Sequence, residues 1–135
     1  MEKPGGISIH CVDVANGRVA AGLRVTLRRL DGGPALASGL VNAKGLLDDP
    51  ALMGAGVVAG AYEVEFDVGA YYRALFARAA GARASAVLNG VVLAPPEPAF
   101  LEVVPYRFHV ADVAQHYHLP FKFTPWGFSL FRGGA

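Results

Sequence analysis

Residues 116–135 read HYHLPFKFTPWGFSLFRGGA, and this stretch carries most of the fold information in the chain. Two short runs of β-type residues flank the turn Pro125-Trp126-Gly127, and a His-Tyr-His cluster precedes them. Proline and glycine mark turns because proline fixes φ and glycine tolerates positive φ. The pattern predicts a C-terminal β-hairpin that begins beside two histidines.

The segments upstream of this hairpin have the period of half-buried strands. Apolar and polar residues alternate in segments 23–28, 61–67 and 103–110. Residues 7–14 are rich in β-branched side chains and end at the turn signal Asn16-Gly17. The alanine-rich residues 69–80 instead have apolar positions spaced for a helix face. These elements predict an all-β fold, an antiparallel β-sandwich with one short helix.

The composition predicts one globular domain over residues 1–135, since 53% of the residues are hydrophobic and 17% are charged. The net charge of +1 comes without a basic block, so nucleic acid is not an expected partner. No apolar run has the length of a membrane span or a signal peptide. Cys11 has no internal disulfide partner, which fits a reducing compartment, and we expect a cytoplasmic protein. Residues 81–99 end in a proline-rich run that predicts an exposed loop.

Several ordered motifs resemble those of the transthyretin-related 5-hydroxyisourate hydrolases. The motifs are residues 116–135, Ile7–Asp13 with the following Ala20-Ala21-Gly22, residues 60–72 and residues 100–108. The resemblance covers nearly the whole chain apart from residues 80–99. It implies a transthyretin-like sandwich, a homotetramer, no cofactor, and hydrolysis of a small cyclic amide in urate breakdown.

The same resemblance implies a set of site residues. His10 and His118 match the family's two catalytic histidines, and Arg132 with Gly133 matches the Arg-Gly of its C-terminal motif. Three positions depart from the family pattern: Leu46 replaces an arginine, Phe131 a tyrosine and Gly134 a serine. The substrate-binding positions implied in this way are Arg132, Leu46, Lys44, Phe131, Gly133 and Gly134.

The retained and lost residues have different chemistry. Imidazole suits the activation of water because its pKa lies near neutral pH. A planar arginine suits the recognition of substrate carbonyls. Its loss predicts that the part of the site that recognises the substrate has changed. If the segment around Leu46 is extended, Lys44 projects on the same side and supplies a point charge instead. The substrate is then either 5-hydroxyisourate or another cyclic amide, imide or lactone.

Purely structural roles for some of these residues, and one rival function, remain open. His109 and His116 are interpreted as surface or supporting groups, and the spacing of the histidines matches no recognised metal site, so we predict none. His10 and Cys11 point to opposite faces of a strand, which excludes a Cys-His pair. The rival function is a transthyretin-like protein that binds a small molecule without catalysis. Leu46 and Phe131 favour it, whereas two retained imidazoles oppose it because they cost free energy when buried without partners.

Overall fold

The computed structural model describes residues 5–53, 56–82, 87–88, 91–92 and 98–134. In chain order its elements are β1 (Ile7–Asp13), β2 (Arg18–Val19), β3 (Arg24–Arg29), β4 (Ala37–Leu40), a 3-10 turn (Pro50–Leu52), β5 (Gly60–Asp67), α1 (Val68–Ala82), β6 (Val87–Leu88), β7 (Val91–Val92), β8 (Val103–Val110), β9 (Tyr117–Phe123) and β10 (Phe128–Leu130). The predicted strands, the single helix and the C-terminal hairpin are confirmed. In the described ranges no helix is long and apolar enough to cross a membrane.

Two four-stranded sheets form the sandwich, in the orders β10-β9-β1-β2 and β4-β3-β5-β8. The pairings within them are antiparallel, with the exception that β1 and β9 run parallel. The first sheet is therefore mixed, whereas the sequence predicted only antiparallel pairing. β6 and β7 pair antiparallel with each other. The proline-rich run that was predicted to be an exposed loop lies, up to residue 97, outside the described residues.

The core lies between the two sheets and follows the predicted alternation. In β5 the side chains of Tyr62, Val64 and Phe66 are fully buried. The ring of Phe66 stacks on that of Phe121 from β9, with centroids 3.8 Å apart, so the sheets meet through aromatic contacts. Each such buried side chain contributes about 1.5–3 kcal/mol. Burial also raises the pKa of Cys11 to about 12, so this thiol stays neutral and unreactive.

A buried carboxylate joins the helix to the first sheet. Asp13, at the end of β1, is fully buried and accepts hydrogen bonds from the hydroxyls of Tyr71 (2.9 Å) and Tyr72 (2.6 Å). It also accepts from the side-chain amide of Asn16 at 2.8 Å. Burial, and then the adjacent Asp13 carboxylate, raise the pKa of both tyrosines. They therefore remain protonated donors, and α1 is held against the end of β1.

We predict that Asp13→Ala strongly destabilises the fold, because it leaves two buried tyrosine hydroxyls without their acceptor. Hydrogen bonds to a charged group contribute about 1.5–3 kcal/mol each, so the loss is expected to be about 3 kcal/mol or more. The matched control is Asp31→Ala, whose carboxylate forms an exposed ion pair with Arg29 and whose loss should cost less than about 1 kcal/mol. Denaturant unfolding at one protein concentration measures both, and equal losses would contradict the prediction.

Candidate active site

The parallel pairing of β1 with β9 places three polar side chains on one outward face. In this register Ser8 lies opposite His118, and His10 lies opposite Pro120. Ile7 and Ile9 are buried in the core, so Ser8 and His10 point to the other side of the sheet. Since paired residues share a face, His118 lies beside Ser8 and diagonally from His10.

Two short segments flank these histidines. Residues 45–47 run along β1, with hydrogen bonds from Cys11 N to Gly45 O (2.8 Å) and from Leu47 N to Ile9 O (3.2 Å). Leu46 is consequently opposite His10 in an antiparallel bridge, on the same face. On the other side Gly133 lies opposite His118 and donates its N–H to the His118 carbonyl at 2.8 Å. The strand and bridge pairings thus bring Leu46, His10, His118 and Gly133 together at one part of the sheet.

The orientation of His10 is set by the turn at residues 42–45. Its Nε2 lies 3.2 Å from the carbonyl oxygen of Lys44, which can only accept, so Nε2 carries the proton and Nδ1 is free. Gly45 has φ +86° there, and a Cβ on it would lie 2.8 Å from His10 Nε2. Glycine is required by both the backbone conformation and the approach of the ring.

The same turn changes the role expected for Lys44. Gly45 N donates to Asn42 O at 2.9 Å, so residues 42–45 form a tight turn rather than an extended segment. The condition under which Lys44 would project beside Leu46 is not met, because the positive φ of Gly45 redirects the chain between them. Lys44 contributes its carbonyl to His10 and lines the same cavity as Leu46.

His118 lies in a chain of side-chain hydrogen bonds. Ser8 Oγ is 2.6 Å from His118 Nδ1 and 2.8 Å from His116 Nε2. His116 Nδ1 in turn is 3.0 Å from the carbonyl oxygen of Gly5. Burial first, and then the charges of His10 and His116, lower the pKa of His118 below its ordinary value. The imidazole of His118 is therefore neutral at neutral pH, as a general base must be.

The C-terminal residues are divided between the site and its support. Arg132 Nη2 donates to Gln115 Oε1 (2.9 Å) and to the His116 carbonyl (3.2 Å), and its guanidinium lies 4.1 Å from the ring centroid of Tyr117. Arg132 therefore ties the C-terminal segment to residues 115–117. Phe131 is 50% exposed, and its ring lies near Gly133, whereas Gly134 is exposed and a Cβ added to it would meet no described atom within 4 Å apart from its chain neighbours.

An open cavity of about 530 Å³ adjoins this face at Ser8 and Leu46. Asn42, Lys44, Asp49 and Met53 also line it, whereas His10 and His118 are not among its lining residues. Its volume is in the range that holds small molecules. Within the described residues no three His, Cys, Asp or Glu side chains are grouped as metal ligands.

Sequence reasoning missed Ser8 and interpreted His116 as a surface or supporting group. Ser8 carried a signal, because a residue two positions before His10 on a strand shares its face. His116 lies two positions before His118 by the same rule. Neither position revealed the contact between them, since that contact depends on the pairing of β1 with β9. His109, interpreted as a surface residue, is exposed on β8 in the other sheet.

This chain is similar to 5-hydroxyisourate hydrolases and to an allantoin synthase, and it shares its fold with transthyretins. The model of the HIUase/Transthyretin family matches residues 7–133. The 5-hydroxyisourate hydrolase 2 of Rhizobium meliloti (strain 1021) is 39% identical over 135 residues, which cover 98% of this chain and 99% of that protein. The structure of Klebsiella pneumoniae 5-hydroxyisourate hydrolase has a TM-score of 0.67 and 29% identity, covering 96% and 99% of the two chains. The crystal structure of (S)-allantoin synthase has a TM-score of 0.78 and 28% identity, and this chain covers 98% of its own length and 45% of that chain.

Proposed function

Because the chain belongs to the HIUase/Transthyretin family, we propose that it hydrolyses 5-hydroxyisourate, opening the ring amide with water activated by His118. It is a hydrolase of purine catabolism with a cyclic small molecule as substrate. The observation that carries the residue assignment is the convergence of His10 and His118 on one outward face, flanked by Leu46 and Gly133. We further propose that residues 1–135 act as one cytoplasmic domain.

In this mechanism His118 is the general base. Its neutral imidazole takes a proton from water, and the resulting hydroxide adds to the ring carbonyl of the substrate. When the tetrahedral intermediate collapses, the ring nitrogen leaves and takes the proton back from the imidazolium. His10 donates a hydrogen bond from Nε2 to Lys44 O, so its neutral ring has a lone pair on Nδ1. This Nδ1 accepts a hydrogen bond from the water or from a substrate N–H.

Substrate recognition rests on fewer donors than the family pattern provides. Leu46 presents no charge where the family has arginine, and Arg132 already donates to Gln115 and to the His116 carbonyl. Fewer donors lower the affinity for a carbonyl-rich substrate more than they affect the activation of water. Hydrolysis of another cyclic amide, imide or lactone by the same histidines is therefore the second substrate class that we consider.

We predict that His118→Ala and His10→Ala each lower turnover by about two or more orders of magnitude, the span typical of lost acid–base groups. His109→Ala, on the other sheet, is the matched control and should leave turnover unchanged. The wild-type rate should rise with pH through the pKa of His118, because the neutral base is the active form. That rise should lie on the acid side of an ordinary histidine, since the pKa is lowered. Full activity in either variant would remove that histidine from the mechanism.

We also predict that Leu46→Arg raises kcat/KM for freshly generated 5-hydroxyisourate. One charged bidentate contact is worth about 1.5–3 kcal/mol, which corresponds to about tenfold to a hundredfold. Leu40→Arg, which adds the same charge at an exposed position of β4, is the control and should have no effect.

Two results would contradict this account of recognition. A wild type that already works at the rate of an efficient enzyme, with no gain from Leu46→Arg, would make Leu46 a tolerated substitution. An inactive triple variant, Leu46→Arg with Phe131→Tyr and Gly134→Ser, combined with binding of apolar ligands by the wild type, would favour the transthyretin-like binder.

A homotetramer is the assembly that we propose. β10 and β8 are edge strands of the two sheets, and edge strands are templates for pairing with another copy. Trp126, Phe128 and Phe131 are 61%, 47% and 50% exposed around β10, an apolar surface that association would cover. Light scattering at micromolar concentration should give four times the chain mass, and Phe128→Asp should lower it. A stable wild-type monomer would contradict the proposal.

A further inference from the structure

A linear set of hydrogen bonds connects a backbone carbonyl to the proposed base. It runs from Gly5 O to His116 Nδ1 (3.0 Å), from His116 Nε2 to Ser8 Oγ (2.8 Å), and from Ser8 Oγ to His118 Nδ1 (2.6 Å). Gly5 precedes β1 and Ser8 lies in it, whereas His116 precedes β9 and His118 lies in it. The parallel register that places Ser8 opposite His118 is what closes it.

The donors and acceptors of this set follow from its first member. A carbonyl oxygen can only accept, so His116 Nδ1 carries a hydrogen and, in the neutral ring, Nε2 carries the lone pair. Ser8 must then donate its hydroxyl hydrogen to His116 Nε2. The Ser8 oxygen is left as the acceptor for His118, whose Nδ1 must carry the hydrogen. The lone pair of neutral His118 is therefore on Nε2.

We propose that Ser8 and His116 are positioning residues that hold His118 in the tautomer with a free Nε2, ready to take a proton from water. The catalytic consequence rests on the function proposed above, whereas the tautomer itself does not. Both residues act through His118, and neither is required to touch the substrate. His116, the first histidine of the His-Tyr-His cluster, thereby has a role in the site.

Protonation of His118 leaves these hydrogen bonds in place. When His118 takes a proton at Nε2, its Nδ1–H continues to donate to Ser8, so no hydrogen bond has to rearrange. The proton on Nε2 is then available to the leaving ring nitrogen. The set therefore orients the base without competing for Nε2.

The Gly5 carbonyl, with which the set begins, is held by the backbone around it. Gly5 has φ +81°, and a Cβ on it would collide with the carbonyl oxygen of Val113. The next residue, Gly6, accepts a hydrogen bond from Tyr117 N at 2.9 Å. These contacts hold residues 5 and 6 beside residues 113–117, which keeps the Gly5 carbonyl within hydrogen-bond distance of His116 Nδ1.

The tautomer is measurable directly, because the two ring nitrogens of histidine have distinct ¹⁵N chemical shifts in their protonated and unprotonated forms. In the wild-type protein, at a pH where His118 is neutral, Nδ1 should be the protonated nitrogen. Ser8→Ala should shift His118 towards the Nε2–H form and lower kcat by about tenfold to a hundredfold, the span for partners that orient a functional histidine. KM should change little. Ser8→Thr, which keeps the hydroxyl, should restore both the tautomer and kcat.

Ser38→Ala on β4 is the matched control and should alter neither readout. The Ser38 hydroxyl forms a hydrogen bond with Thr26, and both residues lie in the sheet that does not contain Ser8. A wild-type His118 protonated at Nε2 would overturn the proposal without recourse to any variant. So would a folded Ser8→Ala variant with unchanged tautomer and kcat. If the tautomer shifts as expected while the wild type fails to hydrolyse 5-hydroxyisourate, the positioning role of Ser8 stands and the proposed function falls.

Discussion

The parallel pairing of β1 with β9 is the constraint on which the site depends. Its register puts Ser8 against His118 and leaves His10 one diagonal step away. Because side chains alternate along a strand, a slip of one residue would turn these groups into the core and bring Ile7 and Ile9 to the surface. The burial of the isoleucines therefore fixes the position of these polar groups, and the hydrophobic effect that stabilises the sheet also selects the register.

The surrounding structure keeps this face in place from three sides. The glycine turn at residues 42–45 supplies the carbonyl that orients His10. Arg132 ties the C-terminal segment to residues 115–117, so that Gly133 stays opposite His118. At the end of β1 the buried Asp13 accepts hydrogen bonds from two tyrosines of α1. Backbone carbonyls and buried hydrogen bonds thus determine the geometry of the site, and its lowered His118 pKa follows from the partial burial that results.

Local sequence patterns predicted the elements well, because alternation in β5 and the alanine-rich run of α1 are properties of neighbouring residues. They did not predict that β1 and β9 run parallel, since the two strands are distant in the chain and no turn signal specifies their direction. The histidines came from the resemblance to a family and not from spacing. Ser8 was missed because its role exists only across that strand pair. The placement of Lys44 beside Leu46 assumed an extended segment, whereas residues 42–45 form a turn in which Gly45 has a positive φ.

The central claim is that this face activates water against the ring of 5-hydroxyisourate. Its most direct measurement follows the absorbance of freshly generated 5-hydroxyisourate with and without the wild-type protein, over a pH series. The account predicts a decay faster than the spontaneous one, proportional to the concentration of protein, and retained below the pKa of an ordinary histidine until His118 becomes protonated. A decay that is unchanged by the protein at every pH would contradict it.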